Sequence, residues 1–226
     1  IGLSYRSPFT LKINKGDMFL TEIDNLLPLA ALGGHTAAWY FGGGTPVSII
    51  HNKGTTYINL PATAAAGVSY TLDKLTLEVD ADFAFWSSFK RFDIDILTNN
   101  ALLPDSLKLK NYRDTVAFYI GGEYRVTKPL ALRLGFRYDP TPVPPPTMGP
   151  ELPDALKLFY CAGLGYKYSN WTFDLAYMYV DKRDRVVNNL GLMDPVISLT
   201  GRPGSGFNGK WSGEAQLVAL DIGYKF

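Results

Sequence analysis

Arg133 and Arg137 stand four residues apart in the run Leu130–Asp139, where apolar residues alternate with small or charged ones. On an extended strand that spacing puts both guanidiniums on one face. Guanidinium forks hold a carboxylate through paired N–H donors, so the two arginines could bind an acid-bearing ligand. Lys108, ahead of the strand that contains Arg113, and Lys182, just after Val180, would add two further cations. The alternative is internal pairing. Glu78, Asp80, Asp82, Glu123 and Asp174 occupy matching positions on other alternating runs and could neutralise every one of these bases.

Other chemistry has little support. His35 and His51 share one long stretch with no clustered acid or cysteine, a poor metal site. Cys161 is the single cysteine, so no internal disulfide forms. Ser87-Ser88 lacks a histidine and an acid placed to activate it, which leaves no catalytic residue to name. Gly42-Gly43-Gly44 lacks the strand-to-helix setting of a phosphate loop. Asn170-Trp171-Thr172 matches a glycosylation sequon but falls in a tight turn. No metal or other cofactor is expected. A formal net charge of +1 points away from nucleic acid as a partner.

The elements that must position the bases are strands. Val218, Leu220, Ile222, Tyr224 and Phe226 alternate with Leu217, Ala219, Asp221, Gly223 and Lys225. The same alternation recurs in seven other runs, at about 3–13, 58–70, 75–85, 116–124, 130–138, 158–168 and 171–179. Each of these eight candidate strands is about as long as, or longer than, the ~9–11 residues that a tilted strand needs to cross a bilayer. One face of each is apolar, and the other carries the charges above. Aromatic residues gather near the strand ends, as membrane-interface girdles do. Charges so regularly placed would be awkward in the core of a soluble sandwich and suit a polar lumen. The expected fold is all-β, an antiparallel transmembrane β-barrel with about eight strands in this chain.

The connections sort into two alternating kinds. Asp73-Lys74, Thr127-Lys128-Pro129 and Ser169-Asn170 are short turns; long loops run roughly 24–55, 97–110, 140–155 and 183–209. Short turns at one end and long loops at the other are the arrangement of bacterial outer-membrane barrels, with the short turns periplasmic. The expected location is the outer membrane of a Gram-negative bacterium, crossed many times. Aromatic residues make up 14% of the chain and glycine contributes 22 residues, both above globular averages. No run of ~18 apolar residues exists, so no membrane-spanning helix is expected.

Several segments together resemble one family. These are Leu3-Ser4-Tyr5-Arg6-Ser7, Asn59-Leu60-Pro61, Phe85-Trp86-Ser87-Ser88-Phe89, Tyr138-Asp139-Pro140-Thr141-Pro142-Val143-Pro144 and Leu152-Pro153-Asp154 before a glycine-rich strand. The combination resembles the FadL/TodX family of outer-membrane transporters of hydrophobic compounds, over essentially the whole chain. The resemblance implies passive uptake of long-chain fatty acids or aromatic hydrocarbons and no enzymatic activity. It also implies a fourteen-stranded barrel plugged by an N-terminal hatch, of which this chain matches the C-terminal half or so. Residues 1–226 would be one barrel domain, or the C-terminal portion of one. Basic residues in a high-affinity pocket are implied as well, and Lys108 falls near such a position. The family's corresponding loop helps form a low-affinity ligand groove at the cell surface.

The loop at about 24–55 is greasy enough for that role. Leu26, Leu27, Leu29, Leu32, Trp39, Tyr40 and Phe41 offer an apolar landing site, and exposed apolar clusters commonly have a use. Asp24 to Leu32 reads as a short helix ended by Gly33-Gly34. The blander reading packs these side chains on a neighbouring loop. A terminal aromatic strand, with Tyr224 and Phe226, resembles the signal read by the barrel assembly machinery. Expected partners are a hydrophobic small molecule or fatty acid, outer-membrane lipid and lipopolysaccharide, and that machinery. A second reading is a small structural or adhesive barrel that binds a partner through its outer loops.

Overall fold

The computed structural model describes residues 1–21, 49–96, 106–149, 152–188 and 208–226. They form twelve strands: β1 (Gly2–Arg6), β2 (Phe9–Thr21), β3 (Ile49–Leu60), β4 (Thr63–Leu72), β5 (Leu75–Ala84), β6 (Arg91–Ile96), β7 (Ser106–Leu109), β8 (Thr115–Arg125), β9 (Leu130–Asp139), β10 (Lys157–Tyr168), β11 (Trp171–Val187) and β12 (Gly209–Tyr224). Eight of them make one antiparallel sheet in the order β1-β4-β5-β8-β9-β10-β11-β12. The remaining four make a second sheet, β2-β3-β6-β7.

The two orders are the same order. β1 continues into β2 through Ser7-Pro8, β3 into β4 through Pro61-Ala62, β5 into β6 through a 3-10 turn at Trp86–Ser88, and β7 into β8 through residues 110–114. Four neighbouring strands therefore break along one line and go on as an upper tier. Proline explains two of the breaks, because it has no N–H to give the ladder and is excluded from central strand positions. The line is stitched by Phe85 N–H to Ala62 O at 3.0 Å, Lys110 N–H to Lys90 O at 2.8 Å and Tyr112 N–H to Phe89 O at 3.2 Å.

Several expectations need correction here. The runs at 3–13 and 58–70 are not single strands; each is two, divided at Pro8 and Pro61. Residues 49–55 of the loop expected at 24–55 are strand instead, because Ile49–Leu60 pairs with β2. Part of the loop expected at 97–110 is β7, paired with the unforeseen β6. β11 also runs beyond 183, to Val187. The short turns stand as read. Asp73 and Ser169 take positive φ (52° and 51°), which two-residue hairpins require at one of their positions.

Register carries the two-faced pattern across the whole large sheet. Leu77, Gly122, Leu134, Ala162, Tyr177 and Val218 form one cross-strand row, and every member belongs to the apolar set. On the other face, Asp82 pairs with both Ala65 and Ala117, and Tyr119 pairs with Arg137. The apolar face is bare: Leu134 is 72% exposed and Leu220 66%. So large an exposed apolar surface is foreign to a water-soluble monomer. The buried core is small and lies at the line of breaks. Phe89, Tyr112, Val143, Met148 and Val187 pack there, with the Phe89 and Tyr112 rings 5.1 Å apart and edge-on.

Candidate functional site

At the long-loop end, on the charged face, lies a cavity of about 900 Å³. β1, β4, β5, β8 and β9 wall it with Arg6, Thr63, Ala65, Asp82, Ala84, Ala117 and Arg137. The proline-rich segment after β9 folds across it and adds Pro140, Pro142, Val143, Leu152, Pro153 and Asp154. Ile58, Leu60, Trp86, Phe89 and Phe92 line the side next to the breaks. Its volume is within the range of small-molecule sites, and a mostly apolar lining with a few convergent polar groups is how such sites are built.

Arg137 is the cation in it that packs against aromatic rings. Its guanidinium sits between two rings, 4.8 Å from the Tyr119 centroid and 4.9 Å from that of Phe159. Such stacking suits the weakly hydrated guanidinium plane. Nη2 donates to Asp139 Oδ2 at 3.0 Å, while Nε is buried with no hydrogen-bond acceptor. Tyr119 in turn donates its hydroxyl proton to Asp82 Oδ2 at 2.7 Å. Lys157 completes the polar side, 2.6 Å from Asp154 Oδ1 and 3.7 Å from Asp139 Oδ2. An aromatic-clamped cation beside a greasy hollow can orient the head of an amphipathic molecule whose tail fills the rest.

The other expected bases go elsewhere. Arg133 shares the face of Arg137 but lies roughly 13 Å nearer the short turns, at ~3.3 Å per residue. There it is bound on both sides, to Glu123 Oε2 at 2.8 Å and to Asp174 Oδ1 at 2.5 Å. The internal network expected as the alternative is thus the arrangement at Arg133. Lys182 donates to the Pro153 carbonyl at 2.7 Å, next to the cavity wall. Lys108 lies in β7 opposite Phe92. Leu26, Leu27, Leu29, Leu32, Trp39, Tyr40 and Phe41 lie outside the described residues. Tyr224 packs edge-on against Phe226 at 5.0 Å and at a tilt against Trp171 at 4.8 Å.

Sequence reasoning missed Phe159, Lys157 and Arg185. Phe159 carried a usable signal, as an aromatic on the charged side of its strand. No helix among the described residues is long and apolar enough to cross a membrane.

All 226 residues match the family model for outer membrane protein transport proteins (OMPP1/FadL/TodX). The chain belongs to the FadL/TodX family. Membership places it in the Gram-negative outer membrane and among transport proteins rather than enzymes. The apolar face is then the lipid-facing wall of a transmembrane barrel and the charged face its lumen. The 47 kDa outer membrane protein of Pasteurella multocida is 23% identical, over 100% of this chain and 46% of its own length. An outer membrane protein of Neisseria meningitidis serogroup B is 27% identical over 118 residues, 51% of this chain and 24% of that protein. A Pseudomonas aeruginosa FadL homologue of known structure superposes with a TM-score of 0.69 at 22% identity, covering 98% of this chain and 48% of that one. The Pseudomonas putida toluene transporter TodX gives 0.54 at 15% identity, covering 97% and 43%. The family member described here spans at most about half the length of these relatives, and the two structures support its fold. Its eight-stranded sheet is open, with β1 and β12 at its two ends.

Proposed function

We propose that this chain supplies part of the route by which hydrophobic molecules, such as long-chain fatty acids or aromatic hydrocarbons, pass the outer membrane. The single observation that supports this reading is the roughly 900 Å³ lumenal cavity, apolar over most of its lining and provided with one ring-clamped arginine. A carboxylate would take the free edge of Arg137, and the tail would lie among Phe89, Trp86 and Leu152. An uncharged aromatic would use the apolar lining alone. Transport of this kind is passive: the ligand gradient supplies the driving force, and the protein lowers the barrier set by the polar outer surface. The apolar segment around Leu26–Phe41 fits a first landing site, and lipid and lipopolysaccharide would surround the wall.

The test is binding and uptake in the complete natural protein with Arg137→Ala. Binding of a fluorescent long-chain fatty acid is expected to weaken about tenfold, as for loss of one charge-assisted contact of ~1.5 kcal/mol. Uptake of an uncharged aromatic is expected to change little. Equal, wild-type binding of both ligands would refute the role of Arg137. A second variant lacking Asp24 to Tyr40 is expected to fold and to take up both ligands more slowly; unchanged uptake would remove the landing site.

A further inference from the structure

Arg185 is the side chain that ties the proline-rich segment down. It reaches that position through a β-bulge. Lys182 pairs with Gly213, yet the next pair is Arg185 with Trp211, so β11 carries one residue more than β12 between them. An added residue reverses which side chains face which way. Without it Arg185 would share the lipid side with Tyr177 and Tyr179. With it, Arg185 and Val187 point into the lumen, where Val187 is 1% exposed.

There the guanidinium forks between the two legs of the segment, 140–149 and 152–156. Nη2 donates to Val143 O at 2.6 Å, and Nη1 to Asp154 O at 2.8 Å. Nη1 also approaches Thr141 Oγ1 at 3.5 Å. Neighbouring stitches run from Arg183 N–H to Leu156 O at 2.8 Å and from Arg113 N–H to Pro142 O at 2.9 Å. Those two are backbone bonds to one leg each; the Arg185 side chain bonds both legs at once. Val143, Pro153 and Asp154, on those legs, also line the cavity.

We infer that Arg185 is a positioning residue for transport: its fork holds the proline-rich segment across the lumen, and so sets the width of the path beside the cavity. This rests on the transport reading above, but it makes a separate prediction about leakage. A released segment would leave a wider, wetter lumen whatever the natural ligand is.

The experiment uses the complete natural protein, refolded into lipid, with Arg185→Ala and Arg185→Lys. Ion conductance across a planar bilayer is the readout, with heat-modifiable gel migration as the check on folding. Arg185→Ala is expected to raise conductance by about threefold or more. Arg185→Lys keeps the charge but cannot span both carbonyls, and is expected to fall between wild type and alanine. Fatty-acid uptake in Arg185→Ala should show a raised half-saturation concentration. Folded Arg185→Ala with wild-type conductance would overturn the inference. Should alanine prevent folding, wild-type conductance in folded Arg185→Lys would overturn it as well. Raised conductance with no hydrophobic uptake in any form, wild type included, would refute the transport reading and leave the positioning role standing.

Discussion

Arg133 meets Asp174 directly above Gly165. A β-carbon at Gly165 would lie 2.8 Å from Asp174 Oδ1 and 3.0 Å from both Nη atoms of Arg133. The glycine on β10 is therefore the floor on which a salt bridge between β9 and β11 rests. Glu123 Oε2 extends the network on the far side of the arginine.

Gly165→Ala should push the two charged tips apart. Both are more than 40% exposed, so the pair contributes little, and the loss is expected to be no more than ~1 kcal/mol. In a cycle with Arg133→Gln and Asp174→Asn, urea unfolding in lipid vesicles should give a coupling of about 0.5–1 kcal/mol. Full additivity would show that the ion pair does not contribute to stability.

Leu134 stands in the middle of the apolar row, between Gly122 and Ala162. Leu134→Arg should destabilise the folded barrel in lipid by about 2–4 kcal/mol, the cost of a cation facing hydrocarbon near the midplane. The same substitution at Ala131, on the lumen side, should cost far less. Similar unfolding midpoints for both would contradict the assignment of faces.

Val187 is sealed in the small core beside Phe89, Tyr112, Val143 and Met148. Val187→Ala is expected to cost about 1–3 kcal/mol. Because this core joins the lower sheet to the proline-rich segment, protease cleavage within residues 140–156 should quicken in parallel.

Asp114 lies at the break ahead of β8 and accepts the Ser87 N–H at 2.7 Å. That hydrogen bond holds its carboxyl below the ordinary value of 3.8, with Lys90 helping through its charge. A carboxylate depressed in the folded state contributes stability above its ordinary pKa and loses it as pH falls through the lower, folded value. Wild type should therefore lose a small part of its stability as pH drops below about 4, and Asp114→Asn should lack that component. Melting midpoints of the two proteins, followed from neutral pH downward, would measure it. Parallel curves would show that Asp114 contributes nothing.

Much of the wall was legible because a barrel strand writes its environment at every second residue. The apolar rows through Leu77, Leu134 and Tyr177 are those the alternation implies, and Asp73-Lys74 and Ser169-Asn170 turn where their residues suggest. The breaks at Pro8 and Pro61 escaped for a physical reason. Leu3, Tyr5, Phe9 and Leu11 stay in phase across Pro8, as Leu60 and Ala64 do across Pro61, so periodicity reads straight through. Of the cavity, Arg137 was legible from its face and its chemistry. Its clamp was not, because Tyr119 and Phe159 come from two different strands, which only register brings to either side of it. Arg185 was hidden more deeply, since its direction depends on an irregularity with no sequence signature of its own.

That irregularity gives β11 something like a reading frame. Up to Lys182 even-numbered residues face the lumen; from Arg185 onward odd-numbered ones do. Removing one residue between them would restore the original frame for the rest of the strand. Arg185 and Val187 would then be translated onto the lipid side and Val186, now 75% exposed, into the lumen. Deleting Asp184, whose own contact is an ion pair with Lys210 at the strand's outer end, would by inversion take Arg185 off both legs of the proline-rich segment at once.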